Sequence, residues 1–274
     1  MKLLVPTDFS DLSKVAVSYA VNMAKHLESE VILLNVVFIN GVPGAVANFQ
    51  MSKIEAMMIE EAEKEFETLI KDIKELHKGF GFISSHTITG YPIEDVIESF
   101  AKSAEIDLII MGTKGATGLK KLLVGSNTAA TIANSSIPVL SIPAQAPYNG
   151  IKNILYPTDM VNLREEIELI VPMAYVFSAT LHVLHIANPS DNDITDHKNL
   201  ADEIISHNLY DKIEFHQMTN ANIVDGIEED IHLTNADILV TFTHKSTFFE
   251  KLFGQSVTRE LNMAPVVPIL SFKR

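Results

Sequence analysis

The feature that most constrains this chain is an internal repeat. Residues 3–8 and 154–159 align at an offset of 151, reading LLVPTD and ILYPTD, and residues 93–141 align without gaps on residues 223–271. At least fourteen of the 49 positions in the second alignment are identical, whereas unrelated sequences would share about three by composition. The chain of 274 residues is therefore predicted to contain two homologous domains, residues 1–145 and residues 150–274, joined through a loop-like stretch at 144–150.

Short apolar segments rich in β-branched residues alternate with helical patterns. Strands are predicted over residues 2–5, 31–38, 82–89, 108–111 and 138–142 of the first copy, and over 151–156, 180–186, 212–218, 238–242 and 266–271 of the second. Helices of the first copy are predicted over residues 12–27, 54–76, 93–104 and 128–133. Nearly continuous apolar strands separated by helices are typical of parallel sheets with both faces covered. Each copy is therefore predicted to be an α/β domain with a doubly wound, open, five-stranded parallel sheet.

Charge and composition limit the classes of function. The chain has 35 acidic and 21 basic side chains, and its net charge of −14 would repel a nucleic-acid backbone. It has no cysteine, which excludes disulfides, thiolate zinc sites and iron–sulfur clusters and favours a reducing, cytoplasmic location. The apolar run before Pro6 is too short for a signal peptide, and the segment 122–151 is too polar to cross a membrane. We therefore expect neither a nucleic-acid partner nor a membrane segment.

The end of the first predicted strand carries polar residues at the place where such sheets bind ligands. Ligands of open α/β sheets lie at the carboxyl ends of the strands, beside the point where the strand order reverses. Residues 3–5 run into Pro6, Thr7 and Asp8, and Ser10 follows as a candidate cap of the next helix. Asp8 is expected to face this crevice, although an acid at a strand end also serves as a helix cap or a salt-bridge partner.

A glycine-rich loop follows the fourth predicted strand and leads into a helix. Its glycines include Gly112, Gly115 and Gly125, and Ser126 opens the helix. Glycines let backbone N–H groups approach an anion, and a helix N-terminus adds a partial positive charge. The spacing matches neither a Walker A loop nor a dinucleotide turn. The alternatives are that tight strand-to-helix packing alone explains one or two of the glycines, that Ser126 simply caps its helix, and that Lys114 is a solvated loop lysine, but the four matched positions together favour a nucleotide site.

These motifs together resemble the universal stress proteins in their tandem, two-domain form. The family pattern Pro-x-Asp-x-Ser matches residues 6–10, its Leu-x-Val matches residues 34–36, and its Gly-x2-Gly-x9-Gly-Ser/Thr matches residues 112–126. The resemblance covers essentially the whole chain. It implies Rossmann-like domains of the adenine nucleotide α-hydrolase-like type, arranged as a pseudo-twofold pair.

The resemblance also implies an ATP site in the first domain. In ATP-binding members, the acid after the first strand and the backbone of the second-strand valine serve the adenine and ribose end, which corresponds to Asp8 and Val36, with Pro6 and Thr7 beside them. The glycine loop holds ribose and phosphates. Residues assigned to that side are Met111, Gly112, Lys114, Gly115, Gly125, Ser126 and Asn127. Mg²⁺ or Mn²⁺ is expected to bridge phosphate oxygens rather than occupy a protein cage.

The second copy departs from this pattern in its glycine loop. The three motif glycines are replaced by Phe242, Lys245 and Gln255, whereas Asp159 and Ser256 are retained. Side chains at glycine positions are expected to close the pocket. The sequence therefore predicts one nucleotide per chain, bound by the first domain.

The histidines and the search for catalytic groups point to no further chemistry. Seven of the ten histidines lie in the second half, namely His182, His185, His197, His207, His216, His232 and His244. His182 and His185 lie three apart on a strand and so face opposite sides, and we expect scattered histidines rather than a metal site. No catalytic triad, paired-carboxylate motif or metal-binding motif is recognisable, so no catalytic residue is assigned.

The leading functional hypothesis is an ATP-binding stress-response regulator or sensor with at most slow ATP hydrolysis, acting on an unknown protein partner. The alternatives are a low-turnover ATPase and a nucleotide-free interaction scaffold. Residues 137–142 and 267–271 form apolar terminal strands that suit edge-to-edge pairing, by which family members commonly dimerise. This pairing predicts an internal pseudo-dimer and leaves a further homodimer open.

Overall fold

The computed structural model describes residues 1–38, 45–78, 80–113, 125–187, 199, 202–203, 206, 210–243 and 267–273, with the backbone alone for 45–51. These residues form two compact units. The first holds residues 1–113 and 125–148, and the second holds residues 149–243 and 267–272. Each unit is described by itself below, as unit 1 and unit 2.

Unit 1 is a five-stranded sheet with helices in the connections. Its elements are β1 (Lys2–Pro6), α1 (Asp11–Leu27), β2 (Glu30–Val37), α2 (Ala45–Leu76), β3 (Ile83–Thr89), α3 (Ile93–Ser103), β4 (Leu108–Gly112), α4 (Ser126–Asn134) and β5 (Val139–Ile142). The strand order is β3-β2-β1-β4-β5, and every pair is parallel. The chain therefore winds outward from β1 in one direction and from β4 in the other, which opens a crevice at their carboxyl ends.

Unit 2 repeats this topology. Its elements are β6 (Asn153–Thr158), α5 (Leu163–Phe177), β7 (Thr180–Ala187), β8 (Ile213–Thr219), α6 (Ile223–Thr234), β9 (Ile238–Phe242) and β10 (Ile269–Phe272). The strand order is β8-β7-β6-β9-β10, again with parallel pairs. The predicted α/β fold with doubly wound parallel sheets is confirmed.

The central strands are apolar because both of their faces are covered. Leu3 and Leu4 of β1 are fully buried, as are Leu33 of β2 and Ile109 of β4. Helix α1 buries one face against this sheet, with its small residues Ala16, Ala20 and Ala24 at zero exposure. Small side chains at i, i+4 and i+8 allow the helix axis to approach the sheet closely.

The ends of the predicted elements differ from the observed ones where local signals are weak. Helix α2 begins at Ala45 rather than near residue 54, because residues 45–52 carry no charge and show no polar face that marks a helix. Strand β10 begins at Ile269, after Pro268, rather than at residue 266. Of the helices in the described ranges, none combines the length and apolarity that a bilayer span requires.

Candidate functional site

Most of the predicted site residues of unit 1 line one crevice, with a volume of about 210 Å³, at the carboxyl ends of β1, β2 and β4. The predicted residues that line it are Pro6, Thr7, Asp8, Val36, Met111, Gly112, Gly125, Ser126 and Asn127. Lys114 and Gly115 lie outside the described residues. The sheet topology brings these separate segments together because β1 and β4 are adjacent strands whose crossovers diverge.

Thr7 organises the turn at the end of β1. Its backbone N–H donates to the carbonyl of Leu34 at 2.8 Å, and its hydroxyl forms a 2.9 Å hydrogen bond with the hydroxyl of Ser13. The N–H of Phe9 donates to the same Thr7 hydroxyl at 3.0 Å. Phe9 has a φ of 62°, a left-handed conformation that a bulky residue adopts only where its surroundings impose it. The turn is therefore fixed in one shape.

Asp8 projects from this turn and is held as a carboxylate. Its Oδ1 accepts the Ser10 N–H at 3.1 Å and the Ser10 hydroxyl at 2.6 Å. Partial burial opposes the charge, but these hydrogen bonds outweigh burial and lower the pKa of Asp8. The Ser10 hydroxyl also accepts the N–H of Ser13 at 3.3 Å and so caps α1, as predicted. The cap is therefore Ser10 and not Asp8, whose exposed carboxylate lines the crevice.

Strand β2 presents backbone groups to the crevice beyond the end of β1. The pairing of β1 with β2 ends at the pair Pro6–Leu34, so β2 extends three residues further. Leu34 directs its carbonyl toward β1, whereas Val37 directs its carbonyl toward β3, where Gly90 donates to it. Because backbone groups alternate along a strand, the N–H and C=O of Val36 point to the β1 side, into the crevice. Val36 thus offers one donor and one acceptor there.

Helix α4 begins at the opposite wall of the crevice. Gly125 occupies its N-cap position, and no side chain among the described residues caps it. Ser126 and Asn127 are the first two helical residues and are exposed, so the alternative that Ser126 caps the helix is wrong. The hydroxyl of Thr128 donates to the carbonyl of Gly112 at 2.9 Å, which ties this first turn to the end of β4. The uncapped N–H groups and the helix dipole make this wall attractive to an anion.

Gly112 is a glycine for a packing reason. A Cβ at this position would lie 2.7 Å from the backbone oxygen of Leu12, in the first turn of α1. Only a glycine allows α1 to approach β4 this closely. The packing alternative therefore holds for Gly112, which also lines the crevice, and its part in phosphate binding stays a prediction.

Unit 2 retains a crevice at the corresponding edge of its own sheet. This crevice has a volume of about 180 Å³ and is lined in part by Thr158, Asp159, Ile186 and Phe242. Two of the three side chains that were expected to close the phosphate pocket of unit 2 lie outside the described residues, so its closure stays a prediction. Phe242 lies where unit 1 has Gly112, and its buried ring packs on Tyr156 and Phe272. Lys245, Gln255 and Ser256 lie outside the described residues.

Local geometry at the end of β6 repeats that of β1. Met160 has a φ of 69°, close to the 62° of Phe9 in unit 1, and its N–H donates to the hydroxyl of Thr158 at 3.0 Å. His185 occupies the place of Asn35. The Asn35 amide donates to the carbonyl of Thr7 at 2.8 Å, and Nδ1 of His185 contacts the carbonyl of Thr158 at 3.2 Å. The lining of the unit 2 crevice differs from that of unit 1 within the last strand residues before this turn, where the hydroxyl of buried Tyr156 hydrogen-bonds Glu166.

The histidines of unit 2 are not all scattered. His182 on β7 and His216 on β8 lie side by side with their ring nitrogens 3.3 Å apart, and Glu214 lies against both. His197, His207 and His244 lie outside the described residues. The sequence alone does not indicate this cluster, because a histidine on one strand meets a Glu-x-His pair on another and the register of the two strands decides the contact.

The comparison with protein families decides where the chain belongs. The model of the universal stress protein family matches residues 1–143. The chain belongs to the universal stress protein family. Two universal stress proteins of Methanocaldococcus jannaschii are similar to it, one 34% identical over 142 residues and the other 31% identical over 156 residues. Each match covers 52% of this chain, and the matches cover 81% and 93% of the two relatives.

A solved structure of a universal stress protein from Archaeoglobus fulgidus matches the whole length of this chain. The match covers 100% of this chain and 96% of that protein, with a TM-score of 0.64 and 21% sequence identity. At that identity the likeness concerns the fold. Together with the internal repeat, it is consistent with two universal stress protein folds in one chain.

Proposed function

We propose that unit 1 binds ATP and that the protein is a nucleotide-dependent stress-response regulator with one nucleotide per chain. The observation that carries this proposal is the convergence, in one crevice, of the Asp8 carboxylate, the free backbone edge of Val36 and the uncapped start of α4. A ligand that uses all three must carry a hydrogen-bonding edge, a hydroxyl-bearing centre and an anionic tail. Adenine nucleotides have these three parts in this order.

Each part of the crevice has a chemical role in this proposal. The N–H and C=O of Val36 match the acceptor and donor on the Watson–Crick edge of adenine. The Asp8 carboxylate accepts hydrogen bonds from the ribose hydroxyls, because its lowered pKa keeps it ionised at neutral pH. The N–H groups at the start of α4, beside Ser126 and Asn127, receive the phosphates, and Gly125 leaves them open. Mg²⁺ or Mn²⁺ would bridge phosphate oxygens there.

We expect at most slow hydrolysis. The described residues on the phosphate side are Gly112, Thr113, Gly125, Ser126 and Asn127, and none of these is a strong base that could activate water. Occupancy of the crevice, rather than turnover, is then the signal that a partner protein would read.

The test is calorimetric titration of Mg-ATP into the full chain after bound nucleotide has been removed. Asp8→Ala should weaken binding at least ~10-fold, because a hydrogen bond to a charged group contributes about 1.5–3 kcal/mol. Asp159→Ala is the matched control, since Asp159 lies at the same position of unit 2 and its carboxylate accepts the N–H of Val161 at 3.0 Å. This control should bind ATP like the wild type.

Three outcomes would overturn the proposal in different ways. Absence of binding by well-folded wild type would favour the scaffold alternative. Binding that Asp159→Ala weakens and Asp8→Ala does not would move the site to unit 2. Many turnovers of ATP per chain, well above background and lost in Asp8→Ala, would establish an ATPase instead of a sensor.

A further inference from the structure

A second candidate site lies in unit 2, away from its crevice, on one face of the sheet. In the register of β7 with β8, His182 pairs with Glu214, and His216 follows two residues further along β8. Residues two apart on a strand share a face, so His182, Glu214 and His216 all project from the same side. Helix α6 packs nearby and contributes Asp230, which is 2% exposed.

The distances between the three potential ligand atoms are close to those between three corners of a zinc-sized tetrahedron. Nδ1 of His182 lies 3.3 Å from Nε2 of His216 and 3.4 Å from Oε2 of Glu214, and the latter two atoms are 3.7 Å apart. A tetrahedral Zn²⁺ ion with ligands at about 2.0–2.1 Å places neighbouring ligand atoms about 3.3–3.4 Å apart. The side chains therefore stand within a few tenths of an ångström of a metal-binding arrangement.

The outer nitrogens of both imidazoles are already engaged by oxygen acceptors. Nε2 of His182 lies 3.3 Å from Oδ1 of Asn153, and Nδ1 of His216 lies 3.3 Å from Oδ1 of Asp230. A proton on each of these outer nitrogens leaves a lone pair on each inner nitrogen, facing the other ring and Glu214. Metal-binding histidines in proteins almost always have such an outer partner, which fixes the tautomer and the ring orientation.

Three electron-rich atoms facing one another need a positive charge between them. With the outer nitrogens protonated, the lone pairs of His182 and His216 and the Glu214 carboxylate would repel each other. The side chains of His182 and His216 are 8% and 29% exposed, so water screens this repulsion only in part. Behind them, Oδ2 of Asp230 is buried and has no hydrogen-bond partner among the described residues, which adds unsatisfied negative charge.

We propose that His182, Glu214 and His216 bind a divalent transition-metal ion, with Zn²⁺ as the best fit and water as the fourth ligand. Two imidazoles and a carboxylate in a tetrahedral arrangement suit zinc, whereas magnesium and calcium prefer six or more oxygen ligands. Glu214, whose side chain is 62% exposed, leaves the site open to entry from solvent. Asp230 is a positioning residue that orients His216. This site is independent of the proposed nucleotide crevice in unit 1.

The experiment titrates Zn²⁺ into the metal-free full chain in competition with a chromophoric chelator, without nucleotide. Wild type should bind one Zn²⁺ ion per chain with high affinity. Co²⁺ in place of Zn²⁺ should give the intense visible absorption of a four-coordinate ion. His216→Ala should abolish the absorption of bound Co²⁺. Glu214→Gln, which changes one exposed side chain, should lower the affinity for Zn²⁺ at least ~10-fold.

Matched controls separate this site from incidental binding by a histidine-containing surface. His232→Ala and Glu229→Gln change an exposed histidine and an exposed glutamate of α6 and should leave Zn²⁺ affinity unchanged. Asp230→Asn should lower the affinity for Zn²⁺ by about 10- to 100-fold, while the Co²⁺ spectrum stays that of a four-coordinate ion.

Two results would overturn the proposal. One is equal Zn²⁺ affinity in wild type, His216→Ala and Glu214→Gln, with each variant shown by circular dichroism to be folded. The other is the absence of saturable Zn²⁺ binding by wild type. In that case a proton on His216, rather than a metal ion, would supply the positive charge between the two imidazoles and Glu214.

Discussion

At the residue scale, Ser10 joins the shape of the crevice to the stability of α1. Its hydroxyl accepts the N–H of Ser13 and donates to Asp8. Ser10→Ala should lower the free energy of unfolding by about 1 kcal/mol, because an N-cap is lost. Val161 is the corresponding residue of unit 2, where no side chain among the described residues caps α5, and it is 74% exposed. Urea unfolding followed by circular dichroism should therefore show a lower free energy of unfolding for Ser10→Ala and almost no change for Val161→Ala. Equal decreases in the two variants would contradict the capping role of Ser10.

Gly112 carries a second prediction at the same scale. Gly112→Ala should lower the free energy of unfolding by about 1–3 kcal/mol, because its Cβ would overlap the Leu12 backbone oxygen and α1 would have to move. Gly81→Ala is the control, since a Cβ there meets nothing within 4 Å. The same urea titration compares the two. A Gly112→Ala protein as stable as wild type, yet unable to bind ATP, would show that this glycine serves phosphate binding rather than packing.

At the element scale, Glu98 connects α3 to the segment between α4 and β5. Its carboxylate accepts hydrogen bonds from the hydroxyl of Ser135 at 2.7 Å and from the N–H and hydroxyl of Ser136 at 3.0 and 2.7 Å, and it pairs with Lys102 at 2.9 Å. Burial opposes the charge, but these partners outweigh burial and lower the pKa of Glu98 to about 2. The folded state therefore favours the ionised carboxylate.

A folded-state pKa below the unfolded value means that Glu98 stabilises the fold above about pH 5 and loses this effect as the pH falls toward 2. Glu98→Gln should lower the free energy of unfolding by about 1–2 kcal/mol at pH 7, after allowance for solvent screening. The difference from wild type should shrink between pH 5 and pH 2. Glu75→Gln, at an exposed position of α2, is the control. Urea unfolding at several pH values measures both, and a pH-independent difference would contradict this role of Glu98.

The elements themselves were largely predictable from the sequence. Buried parallel strands are continuous apolar runs, so the predicted strand at 108–111 differs by one residue from β4 (Leu108–Gly112). Long-range register was not predictable, because nothing local specifies that His182 pairs with Glu214. The role of Gly112 was also hidden, since it depends on how closely α1 approaches β4. Asp8 was predictable because topology places strand ends at one edge of the sheet, whereas Val36 was predicted only through the family resemblance.

At the scale of the whole molecule, the repeat gives each unit the same turn and the same strand order, but the two crevices differ in chemistry. Unit 1 has Gly112 and the Ser10 cap, whereas unit 2 has Phe242, a Tyr156–Glu166 pair and, in the part of the chain that the structure describes, no side-chain cap on α5. Duplication of a fold thus leaves one copy free to lose or change its ligand. The pairing of residues 137–142 with 267–271 as an internal pseudo-dimer stays a prediction.

This asymmetry makes a prediction for the full chain that hydrogen exchange can test residue by residue. Saturating Mg-ATP should slow exchange at the N–H of Val36 and at the first N–H groups of α4, because these donors would be bound to the ligand. The N–H of Ile186, which is the counterpart of Val36 on β7, should exchange at the same rate with and without ATP, since Phe242 and Tyr156 line the crevice beside it. The Asp8→Ala protein should lose the protection in unit 1. Equal protection at Val36 and Ile186 would mean that both crevices bind nucleotide and that the lost glycines of unit 2 are not required for binding.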